Sequence, residues 1–253
     1  MRIVFWPGLG GDAESLREIG PVLAKRGYDS VAIEPRYGAR ADWSMGVLAD
    51  ELAAVDDDPI LAGHSWGAAV AVEAAARVAA RALVLLDGGY VGPRDFHAFG
   101  GDPDLDGALA TMLEEHRGFR WPDWDAYLDW TRAQTPRWND DIETMLRSGM
   151  RVVEGEIHPP FDAAELGRIF RGYHGYDAPA ALGRLPAELP VLLVVATEPP
   201  EHREAREGFI GRFESLVLNG EVRRVPSEHD LVLGLGPELG ALIADWLAVR
   251  VAR

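Results

Sequence analysis

A serine between two glycines, Gly63-His64-Ser65-Trp66-Gly67, joins the short apolar run Ile60–Ala62 to an uninterrupted Ala-rich stretch, Ala68–Arg81. That junction constrains the chain more than any other feature. An apolar run leading into a helical stretch through Gly-x-Ser-x-Gly predicts a sharp strand-to-helix turn. The glycines leave room for close strand–helix packing, and the turn lifts the serine hydroxyl above the end of a sheet. The helix that follows points its free N–H groups and positive dipole end at the same place, which favours developing negative charge. Ser65 is therefore the candidate nucleophile.

The rest of the chain repeats the alternation. Further apolar runs lie at Arg2–Trp6, Ser30–Ile33, Ala82–Leu86, Val191–Ala196 and Val222–Val225. Most lack apolar/polar alternation, as parallel strands covered on both faces do. Helical patterns fall between them at Ala13–Arg26 (after Asp12 as N-cap and ending at Gly27), Met45–Val55 and Pro237–Val249. The prediction is an α/β fold with a doubly wound, mostly parallel six-stranded sheet. Residues 92–189 break the rhythm, with helical stretches at Leu105–Glu115, Asp123–Ala133 and Asp140–Val153, then a looser region with Pro159-Pro160. This segment holds Trp121, Trp124, Trp130 and Trp138, half of the eight tryptophans. The expected organisation is a core of residues 1–91 and 190–253 with 92–189 as a helical cap over the sheet's C-terminal edge.

Composition narrows the function. The 253 residues carry 41 acidic and 25 basic side chains, a net charge of −16. Such a chain is a poor partner for nucleic acid or anionic membrane, whose binding draws on Lys and Arg. No apolar run approaches the roughly 20 residues that cross a bilayer. The N-terminal residues lack a signal-peptide layout, and with no cysteine disulfides and thiolate metal sites drop out. There is no His-Glu-x-x-His either. The expectation is a cytoplasmic protein acting on a small molecule with no metal and no cofactor; its oligomeric state is left open.

Four segments, Pro7-Gly8-Leu9-Gly10-Gly11, Gly63-His64-Ser65-Trp66-Gly67, Leu86-Asp87-Gly88-Gly89 and Ser227-Glu228-His229-Asp230, make the chain resemble the α/β-hydrolase superfamily. The resemblance spans nearly the whole sequence. It implies a sheet that lacks the family's first two strands, with 92–189 standing where the family's cap stands. It also implies that His229, after the last strand run and before the final amphipathic helix, is the base that activates Ser65. The backbone N–H groups of Leu9 and Trp66 become the oxyanion donors. Pro7 stands where many relatives have histidine, which a main-chain donor tolerates.

Two positions compete for the acid that orients the histidine. Relatives most often place it after the next-to-last strand, where this chain reads Thr197-Glu198-Pro199-Pro200, with proline at the usual aspartate and Glu198 one residue early. Others place it at the end of the strand after the nucleophile helix, where Asp87 stands. Asp87 is preferred and Glu198 is the alternative. Asp230 adjoins His229 and is expected to point away from it, and His64 to pack beneath the turn. Tyr90, Trp124 and Trp130 are the expected substrate contacts.

These readings imply a serine hydrolase, carboxylesterase-like, cleaving an ester, thioester or lactone of a largely apolar small molecule. Two other readings stand beside it. One is a ligand-binding or signalling protein that kept the fold without the activity. The other is a dinucleotide-binding oxidoreductase, because Gly8-Leu9-Gly10-Gly11-Asp12-Ala13 fits the Gly-x-Gly-x-x-Gly/Ala pattern with Glu34 near the ribose-acid position.

Overall fold

The computed structural model describes residues 1–102 and 104–251. The core begins with β1 (Arg2–Trp6), a short 3-10 turn (Ala13–Leu16), α1 (Ile19–Lys25), β2 (Asp29–Ala32), α2 (Met45–Ala53), β3 (Ile60–His64), α3 (Trp66–Ala75) and β4 (Ala82–Leu86). A long segment follows with a 3-10 turn (Pro93–Phe99), α4 (Leu105–Gly118), α5 (Trp124–Arg132), α6 (Asp140–Ser148), β5 (Arg151–Val153), β6 (Glu156–His158), α7 (Ala163–His174) and α8 (Ala178–Leu182). The core resumes with β7 (Val191–Ala196), α9 (Arg203–Leu216), β8 (Gly220–Val225), α10 (Leu231–Leu235) and α11 (Pro237–Arg250).

The main sheet is six-stranded and parallel throughout, in the order β2-β1-β3-β4-β7-β8. Alternation across it separates two cores. Val4, Trp6, Leu61, Leu83, Leu85 and Leu193 face α2 and α3. Ile3, Phe5, Ala62, Val84, Leu86 and Val194 face α1 and α11. Of the inner strands, β4 and β7 are apolar and buried end to end, and β1 and β3 nearly so, because both faces are covered. Edge strand β8, with Glu221, Arg223 and Arg224, is partly exposed and charged, which blunts pairing with another chain.

The chain leaves β1 toward β2 on one side and leaves β3 toward β4 on the other. The sheet therefore has its switch point between β1 and β3, and a crevice opens beyond their C-terminal ends, where parallel sheets bind ligands. The loop after β1 and Ser65 after β3 both lie there.

Three expected helices are redrawn. Ala13–Arg26 is split, because Pro21 lacks an N–H and is tolerated only in a first turn, so α1 restarts at Ile19. The Ala-rich helix begins directly after Ser65 and ends at Ala75, since the chain must turn back to lay Ala82 beside Ile60. Asp140–Val153 ends as a helix at Ser148, and the following residues pair as an antiparallel β5–β6 hairpin. Its Glu154-Gly155 turn has φ of 53° and 92°, the mirror-image turn that suits a two-residue hairpin. The looser region also contains α7, capped by Asp162 on the Glu165 amide at 2.7 Å, and α8, capped by Asp177. Among the described residues no helix is long and apolar enough to cross a membrane.

Candidate active site

Ser65 takes φ 53° and ψ −121°, a left-handed backbone that side-chain-bearing residues adopt at a cost of about 1–3 kcal/mol. The surroundings hold it there. Its N–H donates to the Leu86 carbonyl at 2.9 Å, and its carbonyl accepts from the Ala68 amide at 3.0 Å. A β-carbon on Gly63 would stand 2.2 Å from the Gly67 carbonyl oxygen, and one on Gly88 2.1 Å from that of Ser65. Only glycine lets the backbones approach this closely.

Three side chains then meet in a line. His229 Nε2 lies 2.8 Å from Ser65 Oγ, and its Nδ1 lies 2.7 Å from Asp87 Oδ2. A carboxylate only accepts, so Nδ1–H donates to Asp87 and Nε2 is left to accept from the serine hydroxyl. Asp87, also at a left-handed φ of 41°, is itself anchored. Its Oδ1 accepts from the Ala196 amide at 3.1 Å, and its own N–H donates to the Val194 carbonyl at 2.8 Å. Asp87 thus stands at the end of β4 and is fixed by neighbouring β7.

Glu198 is not brought to His229. Its backbone is engaged elsewhere: its N–H donates to the Ser227 carbonyl at 3.1 Å, and its carbonyl accepts from Arg206 at 2.6 Å. Asp230 caps α10, its Oδ1 accepting from the Leu233 amide at 3.0 Å, while the Nδ1 of the imidazole beside it in sequence is bonded to Asp87.

Burial lowers the basicity of His229, but the hydrogen bond and charge of Asp87, aided by Asp230, outweigh it and raise the pKa above the usual 6.5. Although the imidazole is packed among protein atoms, its side chain is 59% accessible, because it opens into the crevice. His64 is the opposite case. It is buried beneath the turn, and burial lowers its pKa. Its Nε2–H donates to the His229 carbonyl at 2.9 Å, tying the strand that carries Ser65 to the loop that carries the imidazole.

The loop after β1 completes the crevice. The Gly11 amide donates to the Gly8 carbonyl at 3.0 Å and the Gly10 amide to Tyr37 Oη at 2.9 Å. Leu9 lies between these anchors at the cavity wall. Trp66 is the first residue of α3, where helix N–H groups lack an intrahelical partner. Its indole is buried against Trp6 and Trp43.

A cavity of about 490 Å³ opens over Ser65 and His229, lined mainly by apolar and aromatic side chains. Of the three expected contacts only Trp130 lines it. Tyr90 is buried in the core, where its carbonyl accepts from Arg212 at 3.1 Å. Trp124 packs against Tyr127 and under Arg147, whose guanidinium lies 4.7 Å from its ring. Both belong to packing rather than to the cavity wall. In their place stand Met112, Phe119, Trp121, Tyr127 and Phe161. Met112 sits on α4, which carries apolar side chains although none of its residues is buried, as suits a face turned to a cavity. Among the described residues no group of three or more His, Asp or Glu side chains could hold a metal ion.

A family model described as the alpha/beta hydrolase family matches residues 3–233. The chain belongs to the alpha/beta hydrolase family. Solved structures of the same fold include E-2-(acetamidomethylene)succinate hydrolase, at TM-score 0.70 and 20% identity over 97% of this chain and 91% of that one. A thioesterase domain from the curacin biosynthetic pathway matches at TM-score 0.66 and 17% identity over 96% and 90%. The enol-lactonase from Burkholderia xenovorans matches at 0.64 and 15% over 98% and 91%. No curated protein sequence gives a significant match.

Proposed function

We propose that this alpha/beta hydrolase is a serine hydrolase that cleaves an ester, thioester or lactone through an acyl-enzyme. The observation that carries the reading is the continuous line Asp87–His229–Ser65, with hydrogen bonds of 2.7 and 2.8 Å. In the first half-reaction Ser65 Oγ bonds to the carbonyl carbon, its proton passes to His229 Nε2, and the leaving group departs with that proton. In the second, water attacks the acyl-enzyme, gives its proton to His229 and regenerates Ser65 Oγ–H. Asp87 holds the imidazole tautomer and stabilises its charged form. The amides of Leu9 and Trp66 hold the oxyanion, and the segment between β4 and β7 acts as a cap that supplies the apolar wall.

A dinucleotide does not suit the loop after β1. Asp12 turns its carboxylate onto the Glu14 amide at 2.9 Å, so a negative charge occupies the helix start where a pyrophosphate would sit. A binding protein without activity has no need of an anchored acid, base and hydroxyl in register. Fold neighbours include a hydrolase, a thioesterase and a lactonase, consistent with acyl chemistry.

The test is hydrolysis of p-nitrophenyl acetate and butyrate. The reading expects turnover with a pre-steady-state burst of p-nitrophenol, abolished in Ser65→Ala. Equal turnover in wild type and Ser65→Ala would refute it.

A further inference from the structure

Ser65 stands on a partition between two cavities. The larger, about 490 Å³, is reached by His229; a second, about 170 Å³, lies on the Trp66 side. Leu9, Met112 and Leu166 line both, whereas Ile169 and Phe170 line only the smaller. The two differ in character. The smaller has an apolar wall apart from Ser65 and Tyr173, while Glu115, His116 and Asp230 add polar groups to the larger.

Acyl-transfer chemistry distinguishes these cavities. The departing group must collect a proton from the base, and the incoming water must give one to it. Both events take place where His229 reaches, in the larger cavity. The acyl remainder stays bonded to Ser65, with its oxygen toward the amides of Leu9 and Trp66, and must leave the His229 side free for water. Resting on the serine-hydrolase reading above, we infer that the smaller cavity holds the acyl group and the larger one the leaving group. The substrate class is then an ester or thioester of a short acyl chain with a bulky, ring-bearing leaving group. At about 30 Å³ per water-sized group, the acyl side has room for about six such groups. Met112 and Leu166 set that limit, since they form the wall shared by both cavities.

Two substrate series test the assignment. In p-nitrophenyl esters from acetate to decanoate, kcat/KM is expected to fall at least about tenfold beyond the hexanoate, in keeping with the discrimination an apolar pocket achieves. In acetates of phenol and 2-naphthol it should differ by less than about threefold. Leu166→Ala should move the optimum to longer acyl chains. Ile169→Phe, which fills the smaller cavity without opening the wall, should move it toward acetate and leave the phenol-to-naphthol ratio unchanged. Activity that rises with acyl length and falls with leaving-group bulk overturns the assignment, as does a profile that neither variant moves. Labelling by ethyl and decyl fluorophosphonates separates the two claims without turnover. Equally fast labelling of Ser65 by both removes the compartment assignment and keeps the nucleophile, whereas labelling by neither removes the serine-hydrolase reading and this inference with it.

Discussion

Asp87 Oδ2 accepts a hydrogen bond from His229 Nδ1–H at 2.7 Å while Asp87 Oδ1 accepts one from the Ala196 amide at 3.1 Å. One carboxylate therefore ties the imidazole to β7, the strand that would have carried the acid in the alternative arrangement. Asp87→Asn should keep the fold, since the amide oxygen can still accept from Ala196, yet present the wrong partner to Nδ1. A loss of about three to four orders of magnitude in kcat is expected. Glu198→Gln should stay within about twofold of wild type, because the imidazole Nδ1 is bonded to Asp87. Steady-state ester hydrolysis on both variants checks the assignment.

The pH profile follows from the same bond. In the proposed mechanism His229 serves as base only when neutral, and its pKa is raised above 6.5. Activity should therefore be lost as the pH falls through a midpoint above 6.5, the profile of kcat/KM reporting the free enzyme. Removing the Asp87 charge removes the main raising influences, so the residual activity of Asp87→Asn should show its midpoint displaced to lower pH. A midpoint displaced upward would contradict the sign.

In the proposed mechanism His64 is a positioning residue that acts through His229 and not on the substrate's reacting atoms. Its Nε2–H on the His229 carbonyl, at 2.9 Å, fixes the loop from below. His64→Phe keeps bulk and loses the donor; kcat should drop about tenfold, the worth of one buried hydrogen bond, with KM within about twofold. His64→Gln, which can donate again, should recover part of the loss. Equal losses in Phe and Gln would reduce His64 to packing.

Much of this arrangement was legible in the sequence because it depends on short-range constraints. The glycines around Ser65 and the apolar run before it specify the turn, and the loop order specifies His229. For the acid the sequence favoured Asp87 but left Glu198 as a rival. Asp87 and Glu198 both end apolar strands, and only the register of β4 against β7 shows which carboxylate faces the imidazole. The cavity wall was least legible. Trp124 and Trp130 have the same chemistry six residues apart on α5, and which ring meets the cavity depends on how α5, α6 and the β5–β6 hairpin pack. Tyr90 follows the acid closely in sequence, yet the chain after Gly89 turns inward to the core.

Stability should hinge on a buried ion pair between the core and the segment above it. Glu18, almost fully buried beside α1, accepts from both Arg137 and from Asn139 Nδ2 at 2.9 Å. Arg137→Ala leaves that carboxylate uncompensated and should cost about 2–4 kcal/mol in chemical denaturation at neutral pH. Burial acts to raise the Glu18 pKa, but Arg137 and Asn139 prevail and lower it below 4.5. The contribution is therefore present above pH 4.5 and lost as the pH falls through the lowered value. The difference between wild type and variant should shrink on acidification over that range.

The proposed chemistry requires Ser65 to be a nucleophile made reactive by His229. A small fluorophosphonate followed by peptide mass spectrometry tests it most directly. One adduct per chain is expected, located on Ser65, formed rapidly in wild type, greatly slowed in His229→Ala and absent in Ser65→Ala. An adduct on another residue, or a rate on Ser65 unchanged when His229 is removed, would contradict it.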